Sequence, residues 1–403
     1  MTILFLTLLH IDNIQTKGIY TDMIRCFQKN RHELYVVCPV ERKYKKNTVL
    51  TNDSGVNLLH VRIGNIQKCN LLEKGISTLL IKKHFLTAIN KYMKNTHFDL
   101  VLYSTPPITF SGIVKYIKNR DNATSYLLLK DIFPQNAIDI KLFTANSLTH
   151  KYFLKQETEL YKVSDYIGCL SQANIAYIQR NHPYLNSKKL HVNPNCVEIV
   201  DDIDDKTNKN NLRCKYSLPL NKTIFVYGGN LGRPQDIPFI ISCLQMQENN
   251  EHIFFLIIGS GTEYEKLHEY VCESSPEYIK LMPHLPVHEY ENVLTVCDVG
   301  LIFLDHRFTI PNFPSRLLGY MQAELPVLAC TDISTDIGQV IVEGEFGWWC
   351  ESNDPQHFSD IITQITACDI VEKGKNSKKY LVENYASQRN YDTIINYTSK
   401  DIQ

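Results

Sequence analysis

The stretch FVYGGNLGRPQD, residues 225–236, joins an apolar strand to a glycine-rich turn. The run IFVY ends at two consecutive glycines, and Gly232 and Arg233 follow in the same loop. Such a strand, tight loop and following helix are typical of a doubly wound α/β domain. Glycines let backbone N–H groups approach an anion, and an arginine adds a charge-assisted hydrogen bond to phosphate. The loop therefore predicts a phosphate-binding turn, although a turn that needs glycine only for tightness has the same pattern.

The loop differs from two well-known phosphate-binding patterns. It has no GxGxxG and no Gly-Lys-Ser/Thr, so neither the dinucleotide fingerprint nor the P-loop fits. No Gly-x-Ser-x-Gly nucleophile elbow is found elsewhere in the chain.

Working outward from this loop, apolar runs alternate with helical patterns in both halves of the chain. In the second half we predict strands at 224–229, 252–261, 279–286, 299–304, 326–332 and 347–351. In the first half we predict strands at 3–9, 34–40, 57–63, 99–105, 125–130 and 166–171. The expected fold class is α/β, with two Rossmann-like doubly wound domains and a ligand cleft between the carboxyl ends of their strands.

The length of 403 residues also suits two domains. A polar, Asn-rich stretch divides the chain, which predicts a first domain over 1–198, a linker over 199–222 and a second domain over 223–385. Residues 386–403 are expected to form a tail or helix that packs back on the first domain. Asp202 and Asp204, in the linker, have the Asp-x-Asp form of some metal-dependent sugar transferases, but no strand precedes them, so we predict no metal site.

Cysteine usage and hydropathy indicate a cytoplasmic protein. The 12 cysteines are scattered with no Cys-x-x-Cys pair, as is typical of reduced thiols. The amino-terminal run 3–9 is too short for a transmembrane span and has no basic residue before it.

Charge is divided unequally along the chain. Residues 1–200 hold 26 Lys+Arg and 14 Asp+Glu, a net charge of +12, whereas the remainder holds 16 and 29, a net charge of −13. Several basic segments mix Lys with apolar residues, among them 81–85 and 150–156, which favours contact with an anionic membrane surface. An ordinary solvated face has the same composition. No nucleic-acid-reading motif is visible, so we predict no nucleic-acid partner.

Four further stretches follow predicted strands and provide candidate ligand contacts. Gly259 and Ser260 end a strand and form a second glycine turn. In PNFPSRLLGYM, residues 311–321, Ser315 resembles a helix cap and Arg316 falls in the first helical turn. A cation there opposes the helix dipole, so an anionic ligand would explain it, and a solvated arginine is the alternative.

The first domain supplies the other two stretches. Lys130 and Asp131 follow the strand at 125–130, where a carboxylate could act as a base, orient a hydroxyl or simply cap the next turn. Gly18 follows the first strand after a loop and either admits a ligand or serves the loop alone.

Taken together, these residues resemble glycosyltransferase family 4, a group of sugar-nucleotide transferases with the two-domain GT-B architecture. The resemblance runs through LHIDNIQTKGIYTDMIRCF, VLYSTPPITF, LLLKDIFPQNAIDI, NPNCVEI, YGGNLGRPQD, IGSG and IPNFPSRLLGYM. It is closest to the branch that makes bacterial O-antigen and capsule repeat units, especially transferases proposed to move N-acetyl-L-fucosamine.

The resemblance implies a role for each candidate residue. It implies a catalytic role for Asp131, Arg233 and Arg316. The implied donor-binding residues are Gly229, Asn230, Gly232, Gly259, Ser260, Leu285, Pro286, Asn312, Ser315 and Leu317. Gly18 and Lys130 are the implied acceptor contacts, and no metal or cofactor is implied beyond the UDP-sugar substrate.

One departure from the family concerns its Glu-x7-Glu pair. Relatives place the second Glu, which holds the ribose, at the position of Gly319, and the first at the position of Pro311. Both glutamates are missing here, so the sugar contact is expected to fall to Asn312, and ribose recognition must use another group.

The resemblance implies a metal-independent, retaining transfer of a sugar from UDP to a polyprenyl-diphosphate-linked saccharide. The enzyme would act as a peripheral protein at the cytoplasmic face of the inner membrane. Three alternatives remain open at this stage: a UDP-sugar 2-epimerase, a nucleotide-dependent oxidoreductase, and a nucleotide-binding module without transfer activity.

Overall fold

A computed structural model describes residues 1–66, 69–200 and 209–399. The chain divides into two compact units, Met1–Glu198 with Ser387–Gln403, and Ile199–Ala386. Each unit is built on a mainly parallel sheet flanked by helices, so the predicted class of two Rossmann-like α/β domains is confirmed. Elements are numbered along the chain.

The first unit contains an eight-stranded sheet in the order β3-β4-β2-β1-β5-β6-β7-β8. Its strands are β1 (Thr2–Leu6), β2 (Glu33–Glu41), β3 (Val49–Asp53), β4 (Val56–Ile63), β5 (Leu100–Ser104), β6 (Thr124–Leu129), β7 (Tyr166–Cys169) and β8 (Leu190–Val192). All neighbours pair in parallel except β3 and β4, which form an antiparallel hairpin.

Seven helices of the first unit lie within the described residues. They are α1 (Ile19–Lys29), α2 (Leu71–Tyr92), α3 (Ser111–Asp121), α4 (Gln135–Asp139), α5 (Leu148–Val163), α6 (Gln172–Asn181) and α15 (Ser387–Thr398).

The carboxy-terminal helix α15 is part of the core of the first unit. Ile394 is fully buried there, and the ring of Tyr391 meets that of Phe27 edge-on at 4.9 Å. The amide of Asn390 donates a 2.9 Å hydrogen bond to Asn193 Oδ1. Residues nearly 200 positions apart are therefore joined by both apolar and polar contacts.

The second unit contains a six-stranded parallel sheet in the order β11-β10-β9-β12-β13-β14. Its strands are β9 (Thr223–Asn230), β10 (Ile253–Ser260), β11 (Ile279–Pro283), β12 (Val299–Phe303), β13 (Val327–Thr331) and β14 (Gly347–Glu351). Its helices are α7 (Lys209–Lys215), α8 (Ile237–Gln245), α9 (Tyr264–Ser274), α10 (Val287–Leu294), α11 (Arg316–Gln322), α12 (Ile337–Glu343), α13 (Pro355–Ala367) and α14 (Val371–Asn384).

The order of the strands places the loop after β9 where the strand order of the second sheet reverses. The first strand of each unit is central: β1 pairs with β2 and β5, and β9 pairs with β10 and β12. Strands β10 and β11 are therefore added on one side of β9, and β12 to β14 on the other. In sheets of this kind, ligands bind outside the carboxyl ends of the strands where the order reverses.

Two local features differ from the sequence pattern. The strand predicted over 3–9 ends at Leu6, because the hydroxyl of Thr7 accepts a hydrogen bond from the Leu9 amide at 3.0 Å and turns the chain out of the sheet. Strands β3 and β8 were not predicted, because β3 is mostly exposed and lacks an apolar run and β8 has only three residues.

Part of the stretch assigned to the linker is ordered within the second unit. Helix α7 carries Arg213, which is buried and bonds Asp298 Oδ2 at 2.7 Å and the Val296 carbonyl at 2.9 Å. Asp202 and Asp204 lie outside the described residues. In the part of the chain that the structure describes, no helix is long and apolar enough to cross a bilayer.

Candidate nucleotide-sugar site

The carboxyl ends of β9 and β10 approach each other more closely than side chains would permit. Gly229 has φ of +129°, a backbone conformation that favours glycine. A Cβ added at Gly259 would lie only 2.1 Å from the Gly229 carbonyl oxygen, and one added at Gly261 would lie 2.2 Å from the Leu231 carbonyl oxygen. The three glycines are therefore required by backbone packing, whichever ligand binds.

Gln235 holds the loop after β9 in shape. Its Oε1 accepts hydrogen bonds from Asn230 Nδ2 at 2.9 Å and from the Gly232 amide at 3.1 Å. The predicted ligand residues Asn230 and Gly232 thus share one buried partner. Gln235 was not predicted, because nothing in the linear pattern distinguishes it from a surface glutamine.

Arg233 is exposed and has an acidic neighbour. Its side chain is 53% exposed, and its Nε lies 3.7 Å from Glu263 Oε1. Glu263 also forms an ion pair with Lys266. The guanidinium of Arg233 consequently has a competing partner, and its catalytic role stays a prediction.

Arg316 has no such carboxylate partner among the described residues. Its guanidinium lies over the ring of Tyr227, 4.3 Å from the centroid, and Nη1 is buried without a hydrogen-bond partner. A Cβ at Gly229 would be 3.5 Å from Arg316 Nη2, which places this cation beside the exposed end of β9. An unpaired buried donor costs free energy, and an oxygen atom of a ligand would relieve that cost.

Three tyrosines surround the Arg316 guanidinium. Burial lowers the pKa of Arg316, but Tyr227, Tyr320 and Tyr290 oppose this and leave it above the usual arginine value. The Tyr320 hydroxyl donates to the Leu301 carbonyl at 2.9 Å and accepts from the Gly228 amide at 3.2 Å.

Burial raises the pKa of Tyr320 to about 12, and that of Tyr290 lies well above its ordinary value for the same reason. Both tyrosines are therefore neutral at physiological pH and do not neutralise the guanidinium. Neither Tyr290 nor Tyr320 was predicted to lie at the site. Tyr320 follows Arg316 by four residues, which places both on the same face of a helix, and only this spacing could have indicated it.

The segment before α11 differs in one respect from the prediction. Ser315 is at the N-cap, but its backbone is helical and its side chain makes no capping hydrogen bond, so the cap interpretation is wrong. Its hydroxyl is exposed instead. Asn312 has a buried Nδ2 without a partner, while its carbonyl accepts from Thr335 Oγ1 at 2.5 Å. The Leu317 side chain is fully buried, so only its backbone can meet a ligand.

The remaining predicted donor contacts lie at strand ends. Ser260 is the exposed last residue of β10, and its carbonyl accepts from the Leu231 amide at 2.9 Å. Leu285 is half-buried and Pro286 is the exposed N-cap of α10. At Gly319, where relatives are expected to have the ribose-binding Glu, an added Cβ would approach only Leu294 Cδ1, at 3.7 Å.

In the first unit, Asp131 lies just beyond β6 with both carboxylate oxygens bound. Asn136 Nδ2 is 2.9 Å from each of them, and the Asp131 amide donates to Thr105 Oγ1 at 3.1 Å. Burial raises the pKa of Asp131 to about 6, although hydrogen bonds from Ile132 and Asn136 oppose the increase. A carboxyl that titrates near neutrality suits acid–base or orienting work.

The two predicted acceptor contacts have different surroundings. Lys130 Nζ is buried without a hydrogen-bond partner, and burial lowers its pKa to about 8. The Gly18 amide, at the start of α1, donates to Asp22 Oδ1 at 3.0 Å. Asp22 also accepts from Arg25 Nη2 at 2.5 Å. The Gly18 amide therefore already has an internal partner.

Comparison with known proteins fits this geometry. Residues 208–387 match the family described as glycosyl transferases group 1. The chain is 24% identical over 321 residues to a probable glycosyltransferase, WbjE, of Pseudomonas aeruginosa, covering 79% of this chain and 78% of that protein. These similarities support a GT-B glycosyltransferase.

Solved structures share the fold over the whole chain. Sucrose-phosphate synthase from Thermosynechococcus elongatus has a TM-score of 0.75 at 12% identity, with 100% of this chain and 99% of that chain covered. Anabaena HepE in complex with UDP-glucose has a TM-score of 0.71 at 13% identity, with 99% and 100% covered.

Proposed function

We propose that this protein is a retaining, metal-independent glycosyltransferase of family 4. It moves a sugar from a UDP-sugar to a polyprenyl-diphosphate-linked saccharide in O-antigen or capsular polysaccharide biosynthesis. The sugar we propose is N-acetyl-L-fucosamine or another N-acetylated hexosamine. The match of residues 208–387 to glycosyl transferases group 1 supports glycosyl transfer. The resemblance of the sequence motifs to family 4 supports the choice of pathway and sugar.

The observation that carries the proposal is the buried, unpaired Nη1 of Arg316 beside Gly229. A partly buried cation on an aromatic ring, with a free donor and no carboxylate partner among the described residues, is suited to an oxyanion that arrives with the substrate. The diphosphate of a nucleotide sugar has such oxygens. The backbone of Gly229 is exposed at the same strand end and allows close approach.

The same contact accounts for catalysis. When the bond between the sugar and the β-phosphate breaks, negative charge grows on the departing UDP. Arg316 then interacts more strongly with the transition state than with the bound donor, which lowers the barrier. Arg233 adds a second charge once the donor competes with Glu263 for its guanidinium.

Asp131 is proposed to orient the acceptor hydroxyl. In a retaining transfer of this kind, the departing phosphate takes the proton of the incoming hydroxyl, so the carboxylate serves to position it. The two hydrogen bonds from Asn136 fix the plane of the carboxyl group.

A membrane-bound acceptor is supported by two helix faces of the first unit. On α2 the exposed residues Ile76, Leu79 and Leu80 share a face with Lys83. On α5 the corresponding residues are Leu148, Lys151, Tyr152 and Lys155, and the Leu148 side chain is 87% exposed. Both helices pack against α3, which places them in one layer.

Exposed apolar residues beside lysines are suited to an anionic lipid surface, where each lysine contributes about 1 kcal/mol. We therefore propose peripheral association with the inner leaflet through this layer.

A donor screen tests the proposal directly. Purified protein is incubated with a panel of UDP-sugars and a synthetic polyprenyl-diphosphate saccharide, and products are identified by mass spectrometry. Transfer with retention at the anomeric carbon is the expected result. Conversion of the UDP-sugar without acceptor would indicate an epimerase, and UDP binding without turnover would indicate a binding module; either result contradicts the proposal.

A further inference from the structure

Side chains of the kinds that bind transition metals converge at the carboxyl end of the first sheet. His10 and Asp12 lie in the loop after β1, Cys38 is on β2 and His60 is on β4. One ring nitrogen of each histidine and the Cys38 Sγ all lie within 4.8 Å of one another. His10 Nε2 is 2.9 Å from Asp12 Oδ1.

The hydrogen bonds of the two histidines fix which nitrogen is available. His10 Nδ1 lies 2.8 Å from the Pro39 carbonyl oxygen, and His60 Nε2 lies 2.8 Å from the Ile11 carbonyl oxygen. A carbonyl oxygen only accepts, so each of these nitrogens carries the hydrogen. The lone pair of the neutral His60 ring is then on Nδ1. His10 Nε2 faces Asp12 Oδ1, so a metal ion there would replace the proton that the two atoms share. Metal-binding histidines typically have this second contact, with the distal N–H held by a backbone carbonyl.

We propose that His10, Cys38 and His60 bind a Zn²⁺ ion, with Asp12 as the fourth ligand. Nitrogen, sulfur and oxygen donors in this combination suit tetrahedral zinc. Bond lengths of about 2.0–2.3 Å require donors about 3.3–3.7 Å apart, so donor atoms that lie within 4.8 Å of one another approach by at most about 1.5 Å on binding. His10 and Asp12, which are partly exposed and in a loop, provide that movement.

The binding of zinc would break the contact between Lys46 and Asp12. Lys46 Nζ lies 3.3 Å from Asp12 Oδ1, and both side chains are more than half exposed, so this pair is weak and is lost at little cost. The ion would join the loop after β1 to β2 and β4, and so fix the path of the chain toward α1. The proposal does not depend on the identity of the transferred sugar.

A second group of potential ligands in the second unit is less suited to a metal. Asp236, Asp305 and His306 also lie close together. Arg307, however, binds both oxygens of Asp305, with Nε at 2.8 Å and 3.1 Å. The guanidinium occupies the position that a cation would need. Within the described residues, no arginine forms a hydrogen bond or ion pair with the side chains of the cluster around Cys38.

Cobalt substitution tests the site. Full-length protein without a histidine tag is treated with a chelator under reducing conditions and titrated with Co²⁺. We expect one equivalent to bind, with tetrahedral d–d bands and a thiolate-to-cobalt charge-transfer absorption that Zn²⁺ removes by competition. The variant Cys38→Ser should lose the charge-transfer absorption, and His10→Gln should bind at least about tenfold more weakly.

The matched control is Cys272→Ser. Cys272 is exposed and its Sγ lies 3.6 Å from His268 Nε2, so this pair is the alternative thiol–imidazole site on the surface. The control should bind like the wild type. Absence of stoichiometric binding, a charge-transfer absorption retained in Cys38→Ser, or its loss in Cys272→Ser would each overturn the proposal. If Cys38→Ser does not fold, His10→Gln decides, because its loop position is partly exposed.

Discussion

Replacing Arg316 with methionine is expected to remove most catalytic activity while leaving the stability of the fold nearly unchanged. In the free protein, the buried and unpaired Nη1 costs about 1–3 kcal/mol, whereas the contact with the Tyr227 ring contributes about 0.5–2 kcal/mol. These contributions nearly cancel. Methionine keeps an apolar contact with the ring, so the free energy of unfolding should change by less than about 1 kcal/mol.

The expected effect on catalysis is much larger. Loss of one donor to a developing oxyanion typically costs about 3–4 kcal/mol, or a factor of about 10²–10³ in kcat. Because Arg316 acts on the departing diphosphate, kcat should fall more than KM rises. Arg316→Lys keeps the charge but loses the planar donor pair, and we expect an intermediate rate.

The assay combines urea unfolding with steady-state transfer kinetics on the same preparations. UDP should raise the unfolding midpoint of the wild type and have little effect on Arg316→Met. Lys375→Met, at an exposed position on α14 of the same unit, is the control and should retain wild-type kinetics. A variant at position 316 that unfolds several kcal/mol more easily yet turns over normally would refute the reasoning, because Arg316 would then be a structural residue.

Three further predictions concern other parts of the molecule. Gly259→Ala should lower the free energy of unfolding by about 1–3 kcal/mol in urea and weaken UDP binding, because its Cβ would press on the Gly229 carbonyl. Asp131→Asn should change how stability depends on pH. The folded-state pKa of about 6 is above the unfolded value of about 3.9, so ionisation destabilises the wild type as pH rises from about 4 through 6. Urea unfolding across this range should show that the variant loses this decrease, while kcat falls. Leu79→Glu, at a side chain that is 60% exposed, should weaken flotation with anionic liposomes without changing transfer to a soluble acceptor analogue.

The glycine and membrane predictions each have a matched control variant, and the pH prediction is compared with the wild type. Gly75→Ala, on α2 with no heavy atom within 4 Å of the added Cβ, should leave stability unchanged or increase it. If Gly259→Ala is equally harmless, the close approach of β9 and β10 is not required. A pH dependence that is identical in Asp131→Asn and the wild type would show that another group titrates. Val371→Glu, 61% exposed in the second unit, should float like the wild type, and equal losses in both variants would contradict a specific membrane face.

The sequence by itself determined the α/β class and the location of the glycine-rich loop at the end of β9. Strand β9 and the glycines after it could be predicted because both follow from local rules: a buried parallel strand is apolar throughout, and a close backbone approach needs glycine. The position of Arg316 in the first turn of α11 was also predictable from the sequence, and its role toward an anionic ligand stays a prediction.

Tertiary structure alone decided which side chains surround that cation. Tyr227 is on β9, Tyr290 on α10 and Tyr320 on α11, and the sequence does not reveal that these elements meet. The sequence likewise could not show that Arg233 faces Glu263 or that Gln235 holds the loop after β9. Nor could it show that the Ser315 side chain makes no capping hydrogen bond. The physical reason is that burial and pairing are properties of the packed chain. Local sequence determines the conformation of a segment, whereas the desolvation that leaves Arg316 unpaired depends on residues far away in the chain.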